Sequence, residues 1–180
     1  MTYFINPGKT VFTNGKALQS RTVQASPIAN MRSHAINDVR ATDFNGDGNL
    51  DLVTANLGTT TLSTFIGNGD GTFQTDTLLE SDQYNAFLAV DDLEHDGDND
   101  IVVTHWAGNS IAILLKRGDG KFSPRRDYKT ALRSYGVADF DANGDGNLDL
   151  VTANYAGRSI SLLKGVGEGQ RIAWSYLRYR

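Results

Sequence analysis

A nine-residue acidic string, Asp43-Phe44-Asn45-Gly46-Asp47-Gly48-Asn49-Leu50-Asp51, returns twice in this chain. Its second copy is Asp92-Leu93-Glu94-His95-Asp96-Gly97-Asp98-Asn99-Asp100, its third Asp141-Ala142-Asn143-Gly144-Asp145-Gly146-Asn147-Leu148-Asp149. Both offsets are 49 residues, and the correspondence runs on without gaps. Leu57, Trp106 and Tyr155 occupy one position in successive units, and Phe73 and Phe122 another. Tandem units of this length are supersecondary modules that bury their apolar faces only against one another.

Inside each unit the apolar period is about two, which selects strands over helices. Residues 84–91, 100–106, 110–116 and 121–129 are the strands expected in the middle unit, with Ile101, Val103, Ile111, Ile113 and Leu115 facing inward. The connections carry turn chemistry: the acidic string, Ala107-Gly108-Asn109, and Gly118-Asp119-Gly120. Four antiparallel strands in a repeated unit of this length make an all-β chain of propeller-type blades. The divisions are 35–80, 84–130 and 134–180 for three blades within one repeat domain, 1–180. Residues 1–24 read as the outer part of a preceding blade, with a turn at Asn14-Gly15-Lys16. The repeat decays after Gly165, yet Ile172 to Arg180 still alternates, either as the outer strand of the third blade or as unrelated sequence. The 180 residues hold about 3.7 units, whereas a closed ring takes at least about four. The expectation is an incomplete ring, or one completed by a second copy.

Each acidic string places oxygen-bearing side chains at positions 1, 3, 5 and 9, with glycine at position 6. Alternate residues of a curled loop point toward one centre, and a hard cation such as Ca²⁺ takes about six to eight oxygens. The string resembles the start of an EF-hand loop, but Thr54, Val103 and Thr152 stand where a twelfth-position Glu belongs, and a strand follows. The alternative is an acidic hairpin turn without metal; three loops in register weigh against it, because clustered carboxylates repel one another. The loops hold three, five and three acids, eleven of the chain's 21, so the remainder of a chain of net charge −4 is basic. With five acids, the middle loop is expected to bind most tightly.

The run Val53-Thr54-Ala55-Asn56 after the acidic string, with the later Gly67-Asn68-Gly69-Asp70-Gly71-Thr72-Phe73, resembles the FG-GAP/VCBS repeat family, the blades of integrin-α-like propellers. The resemblance implies a calcium-binding hairpin between the first two strands of each blade, with up to three Ca²⁺. By position, its ligands are Asp43, Asn45, Asp47, Asn49 and Asp51 in the first loop. They are Asp92, Glu94, Asp96, Asp98 and Asp100 in the second, and Asp141, Asn143, Asp145, Asn147 and Asp149 in the third. Glu94 departs from the usual Asp or Asn. The resemblance also implies an extracellular or cell-surface module for recognition or adhesion. The alternative is an architectural segment of a larger secreted protein, such as an accessory domain of a polysaccharide-acting enzyme.

Little else in the chain carries chemistry. His34, His95 and His105 have no metalloprotease spacing, no serine lies in a nucleophile elbow, and Cys is absent. The glycine-rich turns carry acids and lead into strands, unlike a phosphate cradle. The expectation is therefore no catalysis. No apolar run approaches the roughly 20 residues of a membrane span, and no signal peptide is visible at the start. The arginines lack interleaved aromatics, so nucleic acid is not an expected partner. The remaining feature is a recognition edge. His105 and Trp106, with Asn154 and Tyr155 one repeat later, place an aromatic beside polar groups, a pairing that suits a glycan or protein ligand. The competing reading packs those side chains between blades.

Overall fold

A computed structural model describes residues 11–13, 16–18, 35–74, 77–118, 121–165 and 175–179 of the chain. The described elements are all strands: β1 (Val11–Thr13), β2 (Lys16–Leu18), β3 (Ile36–Thr42), β4 (Asp51–Asn56), β5 (Thr61–Phe65), β6 (Thr77–Glu80), β7 (Asn85–Asp91), β8 (Asp100–His105), β9 (Ser110–Leu114), β10 (Arg126–Lys129), β11 (Ser134–Phe140), β12 (Asp149–Asn154), β13 (Ser159–Lys164) and β14 (Ser175–Tyr179). They form three four-stranded antiparallel meanders, β3 to β6, β7 to β10 and β11 to β14, and a hairpin of β1 with β2. The three meanders are propeller-type blades, and the first strand of the middle one, β7, lies against both β3 and β11. Among the described residues no helix is long and apolar enough to cross a membrane.

The tail question is decided by hydrogen bonding. β14 pairs along β13 from Ile160 with Tyr179 to Lys164 with Ser175, so it is the outer strand of the third blade. β1 and β2 pair antiparallel, from Val11 with Leu18 to Thr13 with Lys16. The remainder of 1–24 lies outside the described residues. The expected strand over 121–129 shrinks to Arg126–Lys129. Before it, Lys116 bridges Phe122 alone, and Pro124, which has no N–H to give to a ladder, stands between that bridge and the regular pairing.

The period-two pattern does something other than separate inside from outside. β8 and β9 are buried along their whole length, because the middle blade has a neighbour on each face. Alternate residues go to different seams. Leu88, Ile101, Val103, Ala112 and Leu114 meet Val53, Ala55 and Leu62 of the first blade. Ala89, Val102, Ile111, Ile113 and Leu115 meet Leu150 and Leu163 of the third. A blade with a neighbour on each side therefore needs two apolar faces, which explains the β-branched density of the middle unit.

Polar groups lock the seams. Each first strand shifts register at the same repeat position, between Ile36 and Asp38, Asn85 and Leu88, and Ser134 and Val137. A bulge turns backbone groups away from the ladder, and side chains of the preceding blade collect such groups. Asp38 accepts the Leu88 N–H at 2.9 Å, Arg40 Nε donates to the Leu88 carbonyl at 2.9 Å, and Thr104 Oγ1 donates to the Tyr135 carbonyl at 2.7 Å.

Candidate functional site

The three acidic strings are the hairpin loops joining the first and second strands of each blade: β3 to β4, β7 to β8 and β11 to β12. Their curl is built from side-chain to backbone bonds. Asp43 Oδ1 accepts from Gly46 N at 2.7 Å and Oδ2 from Gly48 N at 2.8 Å. Asp141 repeats this with Gly144 and Gly146, at 2.7 and 2.9 Å. Asp92 reaches Asp96 N at 3.0 Å and Gly97 N at 2.9 Å. The N–H groups of Gly48 and Gly146 are the main cause that holds Asp43 and Asp141 below the ordinary carboxylate pKa. Position 6 requires glycine: φ is +82° at Gly48, +91° at Gly97 and +86° at Gly146, a region where a Cβ is penalised. Position 4 is left-handed too, and in the middle loop His95 adopts it at φ +55°.

Position 9 behaves differently. Asp51, Asp100 and Asp149 are fully buried, and each carboxylate clasps two backbone segments. Asp51 accepts from Phe44 N and Gly67 N, both at 2.8 Å. Asp100 accepts from Leu93 N at 3.1 Å and Lys116 N at 2.7 Å, and Asp149 from Ala142 N at 3.1 Å and Gly165 N at 2.8 Å. One side chain thus ties the acidic loop to the turn after the third strand. Burial pushes Asp100 up to about 7. Sequence reasoning read position 9 as a ligand and missed the clasp. Its signal was the constant spacing of 16 residues to 67, 116 and 165, two of which are glycine.

The donor set fits a hard cation. The oxygens are carboxylates, amides and backbone carbonyls, the loops open to solvent at one rim, and a bound cation offsets the cost of a buried carboxylate such as Asp100. Among the described residues no three His, Cys, Asp or Glu side chains already converge on one point. Asn45 Nδ2 instead donates to Asp47 Oδ2 at 2.9 Å and Asn143 Nδ2 to Asp145 Oδ2 at 2.8 Å. Cation binding would thus require side-chain rotation at positions 3 and 5.

The proposed ligand edge divides in two. His105 and Asn154 are buried, and this corrects their assignment to a binding surface. Asn154 accepts from Thr152 Oγ1 at 3.1 Å and donates to Ser161 Oγ at 2.9 Å, as Asn56 does with Thr54 and Ser63. His105 stands in their place in the middle blade, with Ser81 Oγ 3.1 Å from Nε2 and Ser110 Oγ 3.3 Å from Nδ1. These residues satisfy buried polar groups that close the blade. The aromatics stay accessible: Tyr155 is 73% exposed, and half-buried Trp106 has the Arg133 guanidinium 4.5 Å above its ring and Tyr84 at 6.5 Å. From the sequence Arg133 is one of a loose population of basic residues on a solvated surface; only the packing of the turn before β11 against the middle blade brings it over the indole.

Burial holds the His105 imidazole below the ordinary histidine value, with Asp82 and Asp127 opposing and Arg125 assisting. The fold therefore favours the neutral ring, while the unfolded chain takes a proton near about 6.5. Stability contributed by neutral His105 is lost as pH falls below that value. Urea unfolding at pH 7.5 and 5.5 is expected to show a smaller acid loss for His105→Asn, the residue of the other two repeats, than for the parent chain. Coincident profiles would refute this.

A family model described as FG-GAP-like repeat matches residues 43–103 and, overlapping, 92–152. No curated protein matches the chain significantly.

Proposed function

From the premise that the chain belongs to the FG-GAP-like repeat family, we propose a calcium-binding propeller module for extracellular recognition or adhesion. The observation that carries the calcium part is the threefold loop: a strongly hydrogen-bonded aspartate at position 1, oxygen side chains at 3 and 5, and a buried aspartate at 9. Position 7 would add its backbone carbonyl. The role is binding rather than catalysis, and the location follows from affinity class, since millimolar extracellular calcium fills even weak oxygen sites. The reading is tested by calcium calorimetry and by melting with and without chelator. A site filled at 100 times its Kd adds about 2.7 kcal/mol, so calcium is expected to raise Tm by at least about 5 °C. No heat and an unchanged Tm would sink it.

For the ligand, Trp106 with Arg133 and Tyr84 forms an aromatic and cationic face suited to stacking on a sugar ring or anchoring a protein side chain. A glycan array probed with the parent chain and Trp106→Ala tests the glycan arm. A specific signal lost in the variant supports it. Silence from both favours the architectural role within a larger secreted protein.

A further inference from the structure

Residues 67, 116 and 165 are equivalent in the repeat, yet two are glycine and one is lysine. At Gly67 and Gly165 a Cβ would run into the backbone carbonyls of Leu50 and Leu148. The middle unit has Asn99 at that position, whose amide donates to Thr42 Oγ1 of the preceding blade at 2.6 Å, and it accommodates the Lys116 side chain. That side chain is only 7% exposed, and its ammonium lies 2.7 Å from Asp98 Oδ1. Position 7 of the other two loops is Asn49 or Asn147, which carries no charge to pair.

The lysine and the aspartate belong together. A nearly buried ammonium without a counter-ion would be costly, and Asp98 supplies it. Lys116 also donates its backbone N–H to Asp100 at 2.7 Å, so a single residue grips the middle loop at positions 7 and 9. In the first and third loops the equivalent glycine grips position 9 alone. Lys164 acts on Asp145 of the third loop through its charge, but no ion pair joins them among the described residues.

The geometry points to Lys116 as a resident counter-ion of the middle loop: it orders that loop without metal and lowers its calcium affinity below that of the other two. The second half rests on the calcium reading above; the first does not. A desolvated ammonium acts on a neighbouring divalent cation more strongly than a surface lysine does. The order expected from acid count, with the middle loop tightest, is thereby reversed.

The test uses the full chain, stripped of metal, in calcium calorimetry and amide hydrogen exchange. The parent is expected to show two tighter sites and one weaker. Asp92→Asn should remove the weaker one. Lys116→Gln should tighten it on the order of tenfold, and Asp98→Asn with Lys116→Gly, the pair found in the other two loops, should tighten it by less, because a negative charge leaves with the positive one. In calcium-free protein, amides of residues 93–98 should exchange more slowly than those of 44–49 and 142–147, and lose that margin in both variants. The double variant guards against misfolding of Lys116→Gln, with circular dichroism as the check. Three equal sites, or a weaker site indifferent to both variants, overturn the affinity claim while calcium binding stands. No uptake by any form overturns calcium binding and the affinity claim together. Equal exchange in the three loops overturns the ordering claim by itself.

Discussion

Asp51→Ala is expected to destabilise the protein by about 3 kcal/mol, read as the shift in urea unfolding free energy at pH 7 without calcium. The Asp51 carboxylate accepts the Phe44 and Gly67 N–H groups at 2.8 Å each and is fully buried. Alanine leaves two donors without their acceptor, and each orphaned buried group costs about 1–3 kcal/mol. A water entering the vacated space would recover part of this. Asp51→Asn should cost less, since its carbonyl can serve one donor, though its NH₂ faces the other. If position 9 were only a metal ligand, Asp51→Ala would be neutral in calcium-free buffer and harmful only with calcium present. That pattern would refute the clasp.

Ile111→Ala and Ile160→Ala, at equivalent repeat positions, should differ widely. Ile111 is fully buried at the seam with the third blade, as Leu62 is at the seam before it, while Ile160 is 45% exposed. Truncating a fully buried isoleucine costs about 2–5 kcal/mol; we expect about 3 kcal/mol at 111 and under about 1 kcal/mol at 160 in the isolated chain. The comparison also reports on ring completion. If a second copy covers the third blade as the third covers the second, Ile160→Ala should approach the cost of Ile111→Ala and should weaken a dimer seen by light scattering. A monomer with a small effect at 160 would leave that face open to solvent and count against a second copy.

The legible and the illegible follow from the range of the interactions involved. The strands of the middle blade were readable because β-branched alternation and glycine turns are local, and three copies reinforced one another. Position 6 of the loops was readable because left-handed backbone excludes a Cβ wherever the loop sits. The fate of His105 was not: the sequence places an imidazole beside an indole, but Ser81 and Ser110 decide that it is a buried pin. Trp106 next to it stays half-buried, and its nearest cation, Arg133, arrives from the following blade.

The fourth strand of the third blade shows the same division. Alternation over 172–180 announced a strand, yet whether it belonged to the fold depended on pairing with β13. The acidic loops divide the same way. Their oxygen spacing and tight turns are properties of nine consecutive residues and were determined by the sequence alone. Only the tertiary structure decided that position 9 is a buried clasp and that Lys116 reaches Asp98, because both join residues 16 or more apart along the chain. The 49-residue period determined the blade and the two-faced core it needs. Which polar groups lock each seam was left to the packing of one blade on the next, since a buried hydrogen bond is chosen by whatever donor or acceptor the neighbouring sheet brings within reach.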